Sequence, residues 1–335
     1  MTVELAGMLR LIVCIALTTL ISAQKTCANE DGKKAAPIKN EPSVKPTRKA
    51  PATAKKTTAR GKAKKESRPK DESVLADQRK NADAAREKLG VILAADESEE
   101  FILYTDMPGE TGPLLKALQD AFTWLSRDVF ELAPEDELWE GKCIVFVFTS
   151  RKTYERFCTE IAELPDLTKA QAFFARRGGR VVIAGAMPDV RDAKPVMGSV
   201  LVHELTHAFL EYYRTTGNAK VWLHEGLAQF MEIRGYPELG LGRSQAEIIR
   251  GQLRIGNLPM LSEIFVFQSI RGDDHKSYAL AWSVVDFMIR IDARKFARFV
   301  DEVKTGKTEE EAIGTAYRMP MKRFEAMWRE HAARM

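Results

Sequence analysis

The hydrophobic pattern divides the chain into a first part with strands and a second part with helices. Runs rich in apolar, β-branched and aromatic residues predict strands, and apolar residues at helical spacing predict helices. The predicted strands are Phe101–Thr105, Lys142–Thr149, Gln171–Ala175 and Arg180–Gly185, the last two joined as a hairpin. The helices predicted among them are Thr111–Leu132 and Arg151–Ile161.

From residue 200 onwards the pattern is helical. The predicted helices are Val200–Tyr213, Val221–Ile233, Gln245–Leu253, Tyr278–Ile291, Ala293–Lys304, Glu309–Tyr317 and Met321–Ala333. The first two are apolar around a few polar residues, as expected for helices buried through the centre of a domain. We therefore expect an α+β fold, with an α/β part over 99–195, two buried helices over 196–234 and a helical part over 235–335.

The N-terminus carries an apolar run, Leu11–Ile21, that follows Arg10 and precedes small residues. A run of this length is typical of a signal peptide and is short for a membrane span. We expect residues 1–28 to be a signal peptide cleaved after Ala23 or Ala28. The protein would then be secreted or would lie in the periplasm or cell envelope. The alternative is a membrane anchor formed by the uncleaved segment, and no other transmembrane segment is predicted.

A basic segment follows the apolar run. From Asp31 to Lys70 there are 14 Lys and Arg residues against 3 Asp and Glu, a net charge of +11, whereas the remaining chain carries −7. Residues 29–70 are rich in Lys, Pro and Ala, so we expect a disordered linker. It is either a solvated spacer or a tether to an anionic surface such as cell wall, lipid or nucleic acid. No specific nucleic-acid module is predicted.

Residues 71–98 are predicted to connect this linker to the ordered body. They contain one polar helix, Glu72–Leu89, which ends at Gly90. The body itself is expected to begin near Glu99, where the first apolar strand follows.

The candidate chemistry lies in the first buried helix, whose sequence VLVHELTHAFLEYY contains His203, Glu204 and His207. Residues four apart on a helix are about 40° apart around its axis, so both histidines project from one face. The two imidazoles can then bind one metal ion, with bonds of about 2.0–2.1 Å. Glu204 can take a proton from a metal-bound water without binding the metal. The alternative is an ordinary helix on which these polar residues pair or cap.

A third ligand is predicted at Glu225, in the second buried helix VWLHEGLAQFMEI. A zinc site that keeps one position open usually has three protein ligands, and two histidines with one glutamate are such a set. The segment between the two motifs is long enough to finish one helix, turn at Gly217-Asn218 and return antiparallel. Glu225 would then face the two histidines.

The segments HELTH and HEGLAQFME resemble those of the gluzincins, the HExxH zinc metallopeptidases whose third ligand is a Glu on the next helix. The similarity spans about Val181 to Arg290 and includes the peptidase MA-like domains and the NEGxA segment of the aminopeptidase-like branch. It implies a zincin-like fold, a small mixed sheet before the HExxH helix, and Zn²⁺ held by the three predicted ligands. His224 departs from the pattern, because many relatives have Asn there. It reaches substrate, competes as a ligand, or is a partly exposed residue without a role.

The resemblance also implies hydrolysis of a peptide or protein substrate. Zinc would activate a water, and Glu204 would serve as general base and then as acid. Relatives often supply an oxyanion donor from the following helical region, for which Tyr278 is the first candidate and His275 the second. By the same analogy, the strand RVVIAG would lie at an edge along the cleft and pair with extended substrate. The alternative function is a catalytically inactive zinc-binding fold that acts as a binding or assembly module.

Two other acids are candidates to support the histidines, because a metal-binding histidine usually donates its second ring nitrogen to an acceptor. Glu232 follows Glu225 by seven residues on the same helix face, and is either this acceptor or a surface acid. Glu211 is the weaker candidate. Cys143 and Cys158 are expected to be buried thiols, with a disulfide between them as the alternative.

Overall fold

The computed structural model describes residues 70–335, except 108, 134–135, 178, 216–218, 271 and 273. The predicted signal peptide lies outside the described residues. So do the predicted linker, except its last residue, and the predicted Gly217-Asn218 turn. Lys70, where the description begins, pairs with Glu100 at 3.0 Å.

Within the described residues, five strands form one mixed sheet. They are Ala94–Glu97 (β1), Phe101–Thr105 (β2), Cys143–Phe148 (β3), Ala172–Arg177 (β4) and Arg180–Ala186 (β5). Their order is β1-β2-β3-β5-β4. The three central strands are parallel, and the two edge strands β1 and β4 pair antiparallel with β2 and β5.

Helices make up most of the remaining described residues. The first three are Glu72–Leu89 (α1), Thr111–Thr123 (α2) and Arg151–Arg156 (α3). Those after the sheet are Ala193–Tyr212 (α4), Val221–Gly235 (α5), Leu241–Arg254 (α6), Leu261–Phe265 (α7), His275–Ile291 (α8), Ala293–Lys304 (α9), Glu309–Tyr317 (α10) and Met321–Ala332 (α11). None of the described helices is long and apolar enough to cross a membrane.

The sheet is covered on both faces, and alternate strand residues belong to two separate hydrophobic clusters. Phe101 and Leu103 of β2 pack on the face covered by α2 and α4, whereas Ile102 and Tyr104 pack on the face covered by α1 and α3. Burial on both faces explains why β2 and β3 are continuous apolar runs. Cys143 lies in the first cluster and Cys158 in the second, and both are buried free thiols as expected.

The predicted α+β class, with a small mixed sheet before a mainly helical part, is confirmed. Several boundaries differ. The predicted helix Thr111–Leu132 is regular only to Thr123 and continues as π-helix over Trp124–Val129. The N–H of Phe130 donates to the carbonyl of Leu125, five residues back, at 2.9 Å, which is the wider π-helical pattern. Helix α4 begins seven residues before Val200, and α7 was not predicted.

The prediction that the ordered body begins near Glu99 is wrong, because residues before it belong to the sheet and the core. β1 pairs with β2 although its sequence AADE lacks the apolar alternation that signals a strand. The side chain of Gln78 in α1 donates to the carbonyl of Lys142 at 2.7 Å and accepts from its N–H at 3.1 Å. The apolar side chains that α1 buries are Leu75, Ala82, Ala85 and Leu89.

The prediction that RVVIAG lies at an edge is also wrong. This segment is β5, which pairs with β3 on one side and with β4 on the other. The hairpin was predicted correctly, but hairpin connectivity does not fix which of its two strands joins the rest of the sheet. β4 is the edge strand on this side.

Helices α5 and α8 approach closely at Gly226 of α5. A Cβ added to this glycine would lie only 2.5 Å from the carbonyl oxygen of Ala281 in α8. We predict that Gly226→Ala lowers the free energy of unfolding by about 1–3 kcal/mol, because the two backbones must separate. Chemical denaturation measures this value. Gly251→Ala is the control, since nothing lies within 4 Å of a Cβ there, and it should be neutral or stabilising by about 0.4–1 kcal/mol. Equal effects of the two substitutions would contradict the close contact.

Candidate metal centre

Helix α4 carries His203, Glu204 and His207 through the interior of the protein. These side chains are 2%, 0% and 0% exposed. Most of its other residues are apolar, as expected for a helix against which β4, β5, α2 and α5 all pack. The buried Lys304 of α9 donates to the last carbonyls of α4, which have no partner within the helix.

Helix α5 brings Glu225 to the two histidines. Its Oε2 lies 3.4 Å from Nε2 of His203 and 3.7 Å from Nε2 of His207. The ligand atoms of the three residues all lie within 4.8 Å of one another. Because α4 and α5 pack directly together, the packing of two helices sets the position of Glu225.

The three side chains fit a tetrahedral metal ion. Ligand atoms with bonds of about 2.0–2.2 Å at the corners of a tetrahedron are about 3.4 Å apart, close to the two observed separations. His203 Nε2, His207 Nε2 and Glu225 Oε2 are buried and have no hydrogen-bond partner among the described residues. Buried polar atoms almost always have a partner, and a cation between these three supplies one. The group can therefore hold a metal ion.

The electrostatics of the centre favour added positive charge. Burial by itself would lower the pKa of His203, but the charge of Glu232 and contact with Glu225 raise it well above its ordinary value. Burial lowers the pKa of His207, and neighbouring His203 and His224 lower it further. A buried site with several carboxylates needs a compensating cation, which is either a proton on His203 or a metal ion.

Glu232 contacts His203 directly, so the alternative that it is a surface acid is wrong. It is 4% exposed, and its Oε1 meets Nδ1 of His203. The hydroxyl of Ser199 donates to its Oε2 at 2.9 Å, and the amide of Gln229 donates to its Oε1 at 2.8 Å. Gln245 of α6 donates in turn to Gln229 at 2.9 Å. This network fixes the carboxylate and leaves Nε2 of His203 to face the other ligands.

Glu204 points towards the edge strand β4. Its Oε2 accepts a hydrogen bond from the N–H of Phe174 at 3.0 Å. Its Oε1 is buried and has no hydrogen-bond partner in the part of the chain that the structure describes. Burial raises the pKa of this carboxyl to about 8, against an opposite effect of His203. One oxygen is therefore anchored, and the other is available for proton transfer.

β4 is fixed along α4 at a second point. Arg176 pairs with Glu211 at 3.4 Å, so this acid, the weaker candidate for supporting a histidine, ties the strand to the end of the helix. The ring centroid of Phe174 lies 6.3 Å from that of His207. The edge strand therefore lies against α4 beside the candidate centre.

His224 is buried beside His207, so the alternative of a partly exposed helix residue is wrong. It is 3% exposed, and its ring centroid lies 5.5 Å from that of His207. Burial and the charge of Lys304 lower the pKa of His224 to about 3. Among the described residues, both its ring nitrogens and Nδ1 of His207 lack a hydrogen-bond partner. A neutral ring next to His207 can offer it an acceptor nitrogen.

The two predicted oxyanion donors lie on α8, which packs against α5. Tyr278 is 3% exposed in the first turn of α8. It precedes Ala281 by three residues and so shares the helix face that meets Gly226. His275 is half-buried at the first position of α8. The role of either residue as a donor stays a prediction.

Other members of the network were not predicted from the sequence. Gln229 precedes Glu232 by three residues on the same helix, so helical spacing could have identified this contact. Ser199 reaches Glu232 from the neighbouring helix α4, a contact that spacing within one helix does not show. Gln245 comes from a separate helix, and Phe174 acts through its backbone N–H. No side-chain pattern shows either contact.

Comparison with known sequences gives no family for this chain. No protein-family model matches it, and no curated protein matches it. The function has to be inferred from the residues and geometry of the site.

We predict that Glu232→Gln weakens binding of a divalent metal ion about 10- to 100-fold, because His203 loses the charged acceptor that orients its ring. Competition with a chromophoric chelator measures the affinity. Glu238→Gln removes an exposed acid just after α5 and should leave the affinity unchanged. Equal affinity of Glu232→Gln and wild type would show that this contact does not support metal binding.

Proposed function

We propose that the protein is a zinc-dependent metallopeptidase with a zincin-like fold of the gluzincin type. One observation carries the proposal. Three buried ligand atoms without a hydrogen-bond partner among the described residues converge next to a carboxylate that is anchored through one oxygen. The resemblance of the HELTH and HEGLA segments to gluzincins supports it.

His203, His207 and Glu225 are the residues that would hold Zn²⁺. When bound, zinc supplies a Lewis acid that polarises the scissile carbonyl and lowers the pKa of water. A set of three protein ligands is typical of catalytic zinc sites, whereas structural sites have four.

Glu204 is the proposed general base. The N–H of Phe174 holds Oε2, so Oε1 accepts the proton of the attacking water and later delivers it to the leaving amine. With the neighbouring carboxylates, burial keeps the pKa of Glu204 at about 8. Positive charge at the ligands would lower this pKa towards neutral pH, where the group can both accept and release a proton.

Glu232 and Tyr278 have supporting roles in this proposal. Glu232 accepts from Nδ1 of His203 and so keeps the proton on that nitrogen, which leaves the lone pair of Nε2 for the metal. Tyr278 donates its hydroxyl to the oxyanion that develops on the substrate carbonyl. Its helix is held against α5 by the close contact at Gly226. His275 is the alternative donor.

The proposed substrate is a peptide or protein outside the cytoplasm. The apolar run Leu11–Ile21 would direct export, with cleavage by signal peptidase or retention as an anchor. The segment from Asp31 to Lys70, with its net charge of +11, would link this terminus to the enzyme as a spacer or as a tether to an anionic surface.

A second candidate function, a zinc-binding module without turnover, is favoured by the burial of the centre. Glu204 and His207 are 0% exposed and Glu225 is 4% exposed. A substrate carbonyl must reach these atoms for hydrolysis, which requires β4 or a neighbouring element to move. A binding or assembly module needs no such movement.

We predict that Glu204→Gln keeps about one zinc per chain and loses peptidase activity by a factor of about 10²–10⁴, because the general base is removed while the ligands remain. Elemental analysis and cleavage of a peptide library measure the two properties. Glu247→Gln, an exposed acid on α6, is the control and should retain both.

The outcomes separate the two candidate functions. Zinc in both proteins with cleavage only by wild type would establish a peptidase with Glu204 as base. Zinc in both without cleavage by either would favour the binding module. Absence of zinc from purified and zinc-reconstituted wild type would exclude both.

We also predict that chelation lowers the midpoint of thermal unfolding and that added zinc restores it. An ion that binds only the folded state stabilises it by about 2.7 kcal/mol at a hundredfold excess over its dissociation constant. Scanning fluorimetry with and without chelator measures the shift, and His207→Ala should show little of it. A shift of equal size in wild type and His207→Ala would place the stabilising ion elsewhere.

A further inference from the structure

A cavity of about 510 Å³ lies between α1 and the sheet face that points away from α4. The sheet contributes Ile144, Phe146, Phe173 and Val182 to its wall. These side chains belong to or pack against the second hydrophobic cluster, whereas α4 packs in the first. The sheet therefore separates this cavity from the candidate metal centre.

The cavity is partly open to solvent, and its wall is mainly apolar, although Asn81 and Glu140 also belong to the lining. Phe157 and Phe173 are 2% exposed and Phe146 is 4% exposed, although all three line it. From α1 the lining includes Ala82 and Ala85, whose short side chains leave space in front of these aromatic rings. Clefts and cavities of about 300–1,000 Å³ are typical of ligand sites.

Polar contacts hold α1 at its distance from the sheet. Gln78 makes two hydrogen bonds to the backbone of Lys142, at 2.7 and 3.1 Å. Asp77 pairs with Arg180 at 2.5 Å, and Arg156 donates to the last carbonyl of α1 at 2.8 Å. These contacts act at two places, in the second turn of α1 and at its last residue, and hold the helix at its distance from the sheet.

One guanidinium group at the wall of the cavity has no charge partner of its own in the described part of the chain. The hydrogen bonds of Arg177 go to the carbonyls of Ala162 at 2.7 Å and Ile161 at 3.4 Å. Arg180, which also lines the cavity, pairs with two carboxylates. Arg177 is exposed and retains donors that can bind an anion.

We propose that this cavity binds a monocarboxylate with a single alkyl chain. The chain lies between the alanines of α1 and the aromatic side chains of the sheet, and the carboxylate pairs with Arg177. A guanidinium binds a carboxylate through two parallel hydrogen bonds, and the apolar wall suits a chain without polar atoms. This site is independent of the metal centre and of the proposed peptidase activity.

Isothermal titration of the full-length protein with octanoate, decanoate and dodecanoate tests the site. Each methylene buried in an apolar site raises affinity about fourfold, so each step of two carbons should raise it about sixteenfold until the cavity is full. 1-Dodecanol and dodecylamine should bind more weakly than dodecanoate, because neither can pair with a guanidinium group.

Two substitutions address the two parts of the ligand. Ala85→Leu should weaken dodecanoate binding at least tenfold while the thermal midpoint stays equal or rises, because the new side chain fills the cavity. Ala84→Leu changes an exposed position of the same helix and should bind normally. Arg177→Gln should weaken dodecanoate but not 1-dodecanol, whereas Lys152→Gln, at an exposed site, should change neither.

Three results would overturn the proposal: no binding of any of the acids, affinity that does not depend on chain length, or undiminished binding by Ala85→Leu. If Ala85→Leu does not fold, Ala82→Leu gives the same test from the same helix face. Equal affinity for dodecanoate and dodecylamine would overturn the assignment of a carboxylate to Arg177. Zinc content serves as an independent check that each variant retains its metal centre.

Discussion

The burial of several carboxylates beside two imidazoles is the constraint on which the interior of this protein depends. An ionised group away from water is costly unless it is paired or hydrogen-bonded. Glu232 accepts bonds from a hydroxyl and an amide and contacts His203, while Glu204 accepts one from the backbone of β4. Glu225 faces the Nε2 atoms of the two histidines, at 3.4 and 3.7 Å. Each buried carboxylate therefore has a different set of partners. Because these partners come from different helices and strands, the carboxylates determine which elements pack together.

Those elements are regular ones. α4 and α5 present the candidate ligands, β4 supplies a backbone N–H, and α6 extends the network through Gln245. Groups held on helices and strands keep their positions better than groups on loops, which favours metal binding and proton transfer. The close contact at Gly226 also fixes the position of α8. The backbones of α5 and α8 touch there without an intervening side chain.

Sequence patterns predicted the centre better than its surroundings. The spacing of His203 and His207 follows from helix geometry, and the apolar sequence around Glu225 indicated a buried partner helix. The burial of His224 was missed, although a helix apolar on most sides leaves few exposed positions. β1 was missed because its residues are polar, and the order of β4 and β5 depends on pairing between distant segments. The cavity beneath α1 arises from the distance between two elements, which no local pattern contains.

The attachment of β4 to α4 has a consequence for local opening. The amide of Phe174 and the side chain of Arg176 both bind carboxylates of the HExxH helix, while the other edge of β4 pairs with β5. Separation of the strand from the helix would break both contacts and expose Glu204 in the same event. Segments that open together in this way behave as one cooperative unit. Access to the carboxylate is then governed by the opening free energy of the β4–β5 hairpin, a quantity set partly by residues that never touch a ligand.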